Sequence, residues 1–142
     1  MQVKEVMSRR IIAISPEETV AVAARLLSQH NIGALPVCSR DGRLRGMVTD
    51  RDIVVRCVAA GDDPERTRVA EIMTRRILAA EPEKSIGEAA KLMAREQVRR
   101  LPVQERGRLV GMVSLGDVAV RPDYTMEAGE ALQEISQNIR RV

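Results

Sequence analysis

The stretch Gly46-Met47-Val48-Thr49-Asp50-Arg51-Asp52 decides the fold, because the chain writes it a second time as Gly111-Met112-Val113-Ser114-Leu115-Gly116-Asp117. Working outward, Gly42–Ile53 aligns with Gly107–Val118 at 7 of 12 identical positions, and Val3–Val37 aligns with Val69–Val103 at 15 of 35. The shared positions include Arg9-Arg10-Ile11/Arg75-Arg76-Ile77, Pro16-Glu17/Pro82-Glu83 and Leu35-Pro36-Val37/Leu101-Pro102-Val103. A period this long is no solenoid unit. It marks a duplicated supersecondary motif.

Each copy predicts the same elements. A short amphipathic lead (Val3, Val6, Met7; Val69, Ile72, Met73) precedes an apolar strand at Ile11–Ile14 or Ile77–Ala80, which Pro16 or Pro82 ends. Thr19 and Ser85 have the character of helix N-caps, and Ser85-Ile86-Gly87-Glu88 reads as a full capping box. The helices that follow, Val20–His30 and Ile86–Glu96, place Val20, Ala23, Ala24 and Leu27, and Ile86, Ala89, Ala90 and Met93, at i, i+3, i+4, i+7. A strand (Ala34–Val37; Arg100–Val103), a Gly-bearing turn and a second strand (Leu44–Thr49; Leu109–Ser114) come next. A helix closes each copy, over Asp50–Ala60 or Leu115–Val120. The predicted fold is therefore α/β (α+β): two β-α-β-β-α repeats packed about a pseudo-two-fold axis, since neither copy buries enough apolar surface alone. Residues 1–61 form the first repeat, ending on Gly61, 62–68 a polar linker broken by Pro64, and 69–121 the second repeat. Residues 122–142 carry an amphipathic helix over about Met126–Arg140, with Ala128, Ala131, Leu132, Ile135 and Ile139 as its stripe.

Composition narrows the function. Of 142 residues, 44% are apolar and 1% aromatic, with Tyr124 the single aromatic, so Val, Ile, Leu, Met and Ala must build the core. The net charge of +3 and the scattered basic residues argue against nucleic acid, and one Tyr makes no stacking platform. No apolar run approaches the length of a membrane span, and the N-terminus lacks a signal pattern, so a cytoplasmic location is expected. Cys38 and Cys57 are too few for a disulfide framework. With His30 they are also too few for a structural zinc site without carboxylates, so no metal is expected. No acid, base and nucleophile set stands out, and the chain reads as a non-enzyme with no catalytic residues.

The chemistry points to the repeated heptapeptide. Each copy runs an apolar strand into a hydroxyl, two variable residues and an aspartate at a helix start. Free amides and partial positive charge there suit a phosphate, and the hydroxyl can donate to phosphate or sugar oxygens. An aspartate one turn on can accept from both hydroxyls of a ribose. The structural alternative is an ordinary capping box.

At these residues the chain resembles a tandem CBS-domain pair, the Bateman module. The resemblance rests on Ile32-Gly33-Ala34-Leu35-Pro36-Val37 with Gly46–Asp52, and on Val98-Arg99-Arg100-Leu101-Pro102-Val103 with Gly111–Asp117. It extends from Val3 to about Val120. The chain is similar to stand-alone bacterial CBS-pair proteins, a group that includes the hypoxic response protein type. The resemblance implies a regulatory, ligand-sensing module that binds adenosine-containing ligands in two clefts between the repeats and signals to a partner protein. Those ligands are AMP, ADP or ATP, and in some members S-adenosylmethionine or a dinucleotide such as NAD; no cofactor is required. Asp52 and Asp117 would hold the ribose diols, and Thr49 and Ser114 would contact phosphate or ribose. Met47, Met112, Ile32 and Val98 would line the adenine slots. Arg99 and Arg100 match positions where some relatives place phosphate-binding basic residues, whereas Gly33 and Ala34 carry no charge in the first repeat. The alternative is a structural or dimerisation module with no physiological nucleotide.

Assembly as a homodimer is also expected. Ile53, Val54, Cys57 and Val58 read as one broad apolar face and the tail stripe as another, more than a soluble monomer exposes. Folding of the tail back over its own repeats is the competing arrangement.

Overall fold

A computed structural model describes residues 1–121 and 125–137, with only the backbone of residue 125. It has the mixed architecture anticipated, two repeats with a small strand pair in each and a helix at the C-terminal end. In the first repeat come α1 (Val20–His30), β1 (Ala34–Cys38), β2 (Leu44–Thr49) and α2 (Asp50–Ile53), which runs on into a π-helical turn, Val54–Val58. In the second, α3 (Val69–Ile72) leads into α4 (Ile86–Glu96), β3 (Arg100–Glu105), β4 (Arg108–Ser114) and α5 (Leu115–Ala119). The tail helix α6 spans Thr125–Gln137; Ile139, Arg140 and Tyr124 lie outside the described residues. No described helix is long and apolar enough to cross a membrane.

The strands expected at Ile11–Ile14 and Ile77–Ala80 shrink to single bridges, Ile14 with Val37 and Ala80 with Val103, both parallel. The prolines explain it. The Ile14 amide donates to the Pro36 carbonyl and the Cys38 amide to the Ile14 carbonyl. Extending that ladder in either direction would require an N–H from Pro36 or from Pro16, and neither has one. The second repeat repeats the limit: Ala80 donates to Pro102 and Gln104 to Ala80, with Pro102 and Pro82 closing both ends. The Ser85 box is also only half formed. Ser85 Oγ accepts from the Glu88 amide at 3.1 Å, but the Glu88 carboxylate faces Lys84 at 3.9 Å instead of returning to Ser85.

The chain divides into two compact units that cut across the duplication. One comprises residues 12–78 and 107–109, and thus joins the body of the first repeat to the lead of the second. Within it, the amides and carbonyls of Met47 and Thr74 exchange hydrogen bonds at 3.0 and 2.8 Å, and Thr19 bridges Arg68. Its core holds Val20, Leu27, Leu35, Val37, Val48, Cys57, Val69, Ile72 and Met73. The other unit comprises residues 1–11, 79–106 and 110–142, so the lead of the first repeat packs with the second. Ser8 and Met112 exchange bonds there at 2.8 and 2.9 Å, and Val3 donates to Lys84. Its buried residues include Val3, Ile86, Met93, Leu101, Val103, Val113 and Val118.

These close approaches explain the glycine that opens each copy of the heptapeptide. A Cβ on Gly46 would stand 2.2 Å from the Thr74 carbonyl oxygen and 3.2 Å from the Arg75 Cα. On Gly111 it would stand 2.6 Å from Met7 Sδ and 3.0 Å from the Ser8 carbonyl oxygen.

The two apolar faces expected to remain open are partly closed within the chain. Ile53 and Cys57 turn into the core, which leaves Val54, Val55 and Val58 outside at 58, 48 and 60% exposure. The tail helix folds back onto α4 and α5, burying Ala128, Ala131 and Ile135. The competing arrangement for the tail is therefore the observed one.

Gly46→Ala is expected to destabilise by about 3 kcal/mol, because its severest clash is with the Thr74 backbone, and Gly111→Ala by about 1 kcal/mol, because its severest clash is with the flexible Met7 side chain. Urea midpoints of the two variants check the order; equal midpoints would contradict it.

Candidate functional site

Local geometry places the candidate residues in the same way in both copies. Helices α1 and α4 end on Asn31 and Gln97, each in the left-handed conformation (φ 52 and 62°). The next amides, of Ile32 and Val98, bond back to Leu27 and Met93 at 3.1 and 3.0 Å. This is a Schellman-type close that uses no glycine. The carbonyls of Gly33 and Arg99 then accept the first amides of the closing helices, Asp50 at 3.0 Å and Leu115 at 2.8 Å. A full capping box completes each corner. Thr49 Oγ1 accepts from the Asp52 amide and the Asp52 carboxylate from the Thr49 amide, both at 3.0 Å. Ser114 and Asp117 form the same pair at 3.0 and 2.9 Å.

The first repeat satisfies itself. Asp52 is 6% exposed; beyond the box both its oxygens accept from Thr74 Oγ1 at 3.3 Å, and Oδ1 lies 3.7 Å from Arg56 Nε. The remaining early amide of α2, that of Arg51, donates to the Asp50 carboxylate at 2.8 Å. That carboxylate lies over Gly33, where a Cβ would be 3.3 Å from Asp50 Oδ2. An internal anion thus sits where the helix start favours negative charge.

The second repeat differs at each of these points. Leu115 replaces Asp50, and among the described residues nothing accepts from the Gly116 amide. The repeat counterpart of Thr74 is Ser8, and its hydroxyl donates to the Arg10 carbonyl at 3.3 Å rather than to Asp117. Asp117 therefore uses one oxygen, Oδ2, in the box, and its Oδ1 has no partner among the described residues. Arg99 and Arg100 are exposed and form no ion pair with the described residues. A pocket of about 470 Å³ brings Arg99, Arg100 and Ser114 together with Leu115, Gly116, Ala119, Ala128, Gly129 and Leu132. Two guanidinium groups, a hydroxyl and a free amide can hold a phosphate or another oxyanion. The Asp117 oxygen can accept from a sugar hydroxyl.

Asp117, Met112 and Val98 are half-buried and do not line this pocket; the backbone of Met112 pairs with Ser8. Met47 and Ile32 are half-buried in the first repeat, with Met47 paired to Thr74. The sequence reading missed Thr74, a hydroxyl residue directly after the lead's apolar Ile72-Met73, and the contribution of α6. His30 is exposed at the end of α1. Cys57 is in the core with its thiol 3.6 Å from the Asp62 carbonyl oxygen, and burial raises the pKa of the Cys38 thiol. Among the described residues no three His, Cys, Asp or Glu side chains converge as metal ligands would.

Comparison with known proteins places this geometry in a family. The CBS domain pattern matches residues 3–58 and again 69–124. The CBS domain-containing protein YhcV of Bacillus subtilis is 45% identical over 138 residues, covering 96% of this chain and 97% of its own length. The crystal structure of Hypoxic Response Protein I with two coordinated zinc ions superposes with a TM-score of 0.79 at 39% identity, covering 85% of this chain and 98% of that one. The CBS domain pair of protein MJ0100, in complex with 5′-methylthioadenosine and S-adenosyl-L-methionine, superposes at 0.74 with 28% identity, over 84% of this chain and 94% of that one. With its two family matches, its duplicated capping boxes and relatives that it covers almost end to end, the chain belongs to the CBS-domain family as a tandem pair.

Proposed function

We propose that the chain is a regulatory module that binds an adenosine-containing nucleotide, with the second repeat as its principal site, and passes that occupancy to a partner protein. Asp117 Oδ1 accepts from the ribose, while Arg99, Arg100, Ser114 and the Gly116 amide hold phosphate. Met112 and Val98 flank the base. One observation carries the reading: among the described residues the second repeat leaves Asp117 Oδ1 and the Gly116 amide unpaired, where the first repeat fills the corresponding positions with Thr74 and Asp50. The adenosine-type ligands of the MJ0100 pair support the ligand class. Signalling follows from linkage, since a ligand shifts a conformational equilibrium only by its differential affinity for the two states.

Thr49, Asp52, Met47 and Ile32 form the corresponding but self-satisfied set, and a nucleotide there must displace internal bonds first. The alternative, a structural module without a nucleotide, predicts no heat with AMP, ATP, NAD or S-adenosylmethionine in isothermal calorimetry.

Asp117→Ala is expected to weaken nucleotide binding roughly five- to a hundredfold, from about 1–3 kcal/mol for ribose hydroxyls left unpaired. Asp52→Ala is expected to spare most of that affinity and instead to cost about 2 kcal/mol of folding stability, through the lost cap and the orphaned Thr74 hydroxyl. Calorimetry paired with urea unfolding separates the two effects. Equal losses of affinity would remove the asymmetry, and no loss in either would remove the ribose assignment.

We further propose that the exposed Val54, Val55 and Val58 form the self-complementary face of a homodimer, which closed two-fold symmetry can bury. Light scattering should give twice the mass of the chain for the wild type and the single mass for Val58→Glu. A monomeric wild type would end the dimer proposal.

A further inference from the structure

The pocket of the second repeat extends past the groups that would hold phosphate. It measures about 470 Å³, within the range of small-molecule sites. Besides Arg99, Arg100 and Ser114, its walls include Ala119 of α5 and Ala128, Gly129 and Leu132 of α6, which offer no polar side-chain atom. The residues assigned to ribose and base (Asp117, Met112, Val98) lie outside its lining. Ser114 belongs to both, since it caps Asp117 at 3.0 Å and lines the pocket. The pocket therefore begins at the phosphate end of the proposed nucleotide and continues to the tail helix. The CBS domain match stops at residue 124, and α6 begins at Thr125, so this wall is a feature of the tail and not of the duplicated repeat.

We propose that α6 builds a second subsite, which receives an apolar, ring-sized group carried on the phosphate of the bound nucleotide; the proposal rests on the nucleotide reading above. Three features argue for it. The helix is anchored, with Ala128, Ala131 and Ile135 buried, so its pocket face is a fixed surface. Leu132 in that face remains 42% exposed, apolar area that a seated ring would cover. A Cβ on Gly129 would meet no atom within 4 Å, so the missing side chain there keeps the pocket wide. A phosphate diester keeps one negative charge for Arg99 and Arg100 while its second substituent points to the α6 wall.

The test uses the full chain and two esters of equal charge, adenosine 5′-methyl phosphate and adenosine 5′-phenyl phosphate, compared by isothermal calorimetry. The phenyl ester is expected to bind at least about tenfold more tightly, the effect of covering one ring-sized apolar group. Gly129→Leu fills the open space with a better helix former, so thermal unfolding should not drop; the preference should fall to within about twofold while methyl-ester affinity stays. Leu132→Ser, which removes apolar wall at an exposed position, should lower the preference in the same direction and serves if Gly129→Leu misfolds. Equal affinities of the two esters for the wild type, or a preference that survives both substitutions, would overturn the subsite and leave the nucleotide reading standing. No binding of AMP or of either ester to the wild type would remove the nucleotide reading and the subsite with it.

Discussion

Both repeats turn from their last strand into their closing helix on one reciprocal interaction, a hydroxyl that accepts an amide three residues on and a carboxylate that accepts the amide of the hydroxyl residue. At Thr49/Asp52 and Ser114/Asp117 these bonds are 2.9–3.0 Å long. They fix the corner at which Gly33 and Arg99 present their carbonyls, and so they also fix where Ile32 and Val98 stand. The box uses one carboxylate oxygen. A carboxylate has acceptor capacity well beyond one bond, so capping and ligand binding do not compete for the residue. What matters is whether the protein itself consumes the second oxygen, and the two copies answer differently.

The elements that could be read from the sequence are those whose signal is local. The apolar spacing from Val20 to Leu27 and from Ile86 to Met93 specifies a helix whatever the surroundings, and Thr19 and Ser85 mark where each begins. The Thr49/Asp52 and Ser114/Asp117 boxes have partners three residues apart and so were within local reach, whereas at Ser85 the same spacing closes only half a box. The expected strands at Ile11–Ile14 and Ile77–Ala80 failed because their partners carry prolines distant in sequence; apolar runs report burial, whereas ladder length depends on which neighbours can donate. Nor could local reasoning find that Thr74 reaches Asp52, or that α6 walls the Arg99–Arg100 pocket, since both depend on long-range packing. The glycines of the heptapeptide belong to the same class. Gly46 looks like one motif letter, and only the Thr74 carbonyl lying against it shows why a side chain is excluded.

Divergence between the copies follows a charge rule. Where the first repeat has Gly33 and Asp50, the second has Arg99 and Leu115. The exchange is coupled by space, because the Asp50 carboxylate lies over Gly33 with only 3.3 Å to a would-be Cβ. Removing the acid and adding arginine replaces an internal anion with demand for an external one. The same trend appears at the lead segments, where Thr74 donates to Asp52 but Ser8 turns to its own Arg10 carbonyl.

This difference sets the energetic cost of an oxyanion ligand at each corner. At the second repeat the Gly116 amide and Asp117 Oδ1 can form their bonds without breaking any to the described residues, so the gross interaction is offset mainly by the ordering of Arg99 and Arg100. At the first, a phosphate would have to expel the Asp50 carboxylate from the Arg51 amide, and a ribose would have to take Asp52 from Thr74 and Arg56. The Asp50–Arg51 amide and Asp52–Thr74 bonds to a charged group are worth about 1.5–3 kcal/mol each, so displacing those two offsets about 3–6 kcal/mol of affinity, or roughly two to four powers of ten in Kd. A duplicated scaffold can thus keep identical capping geometry for folding in both copies while concentrating recognition in one.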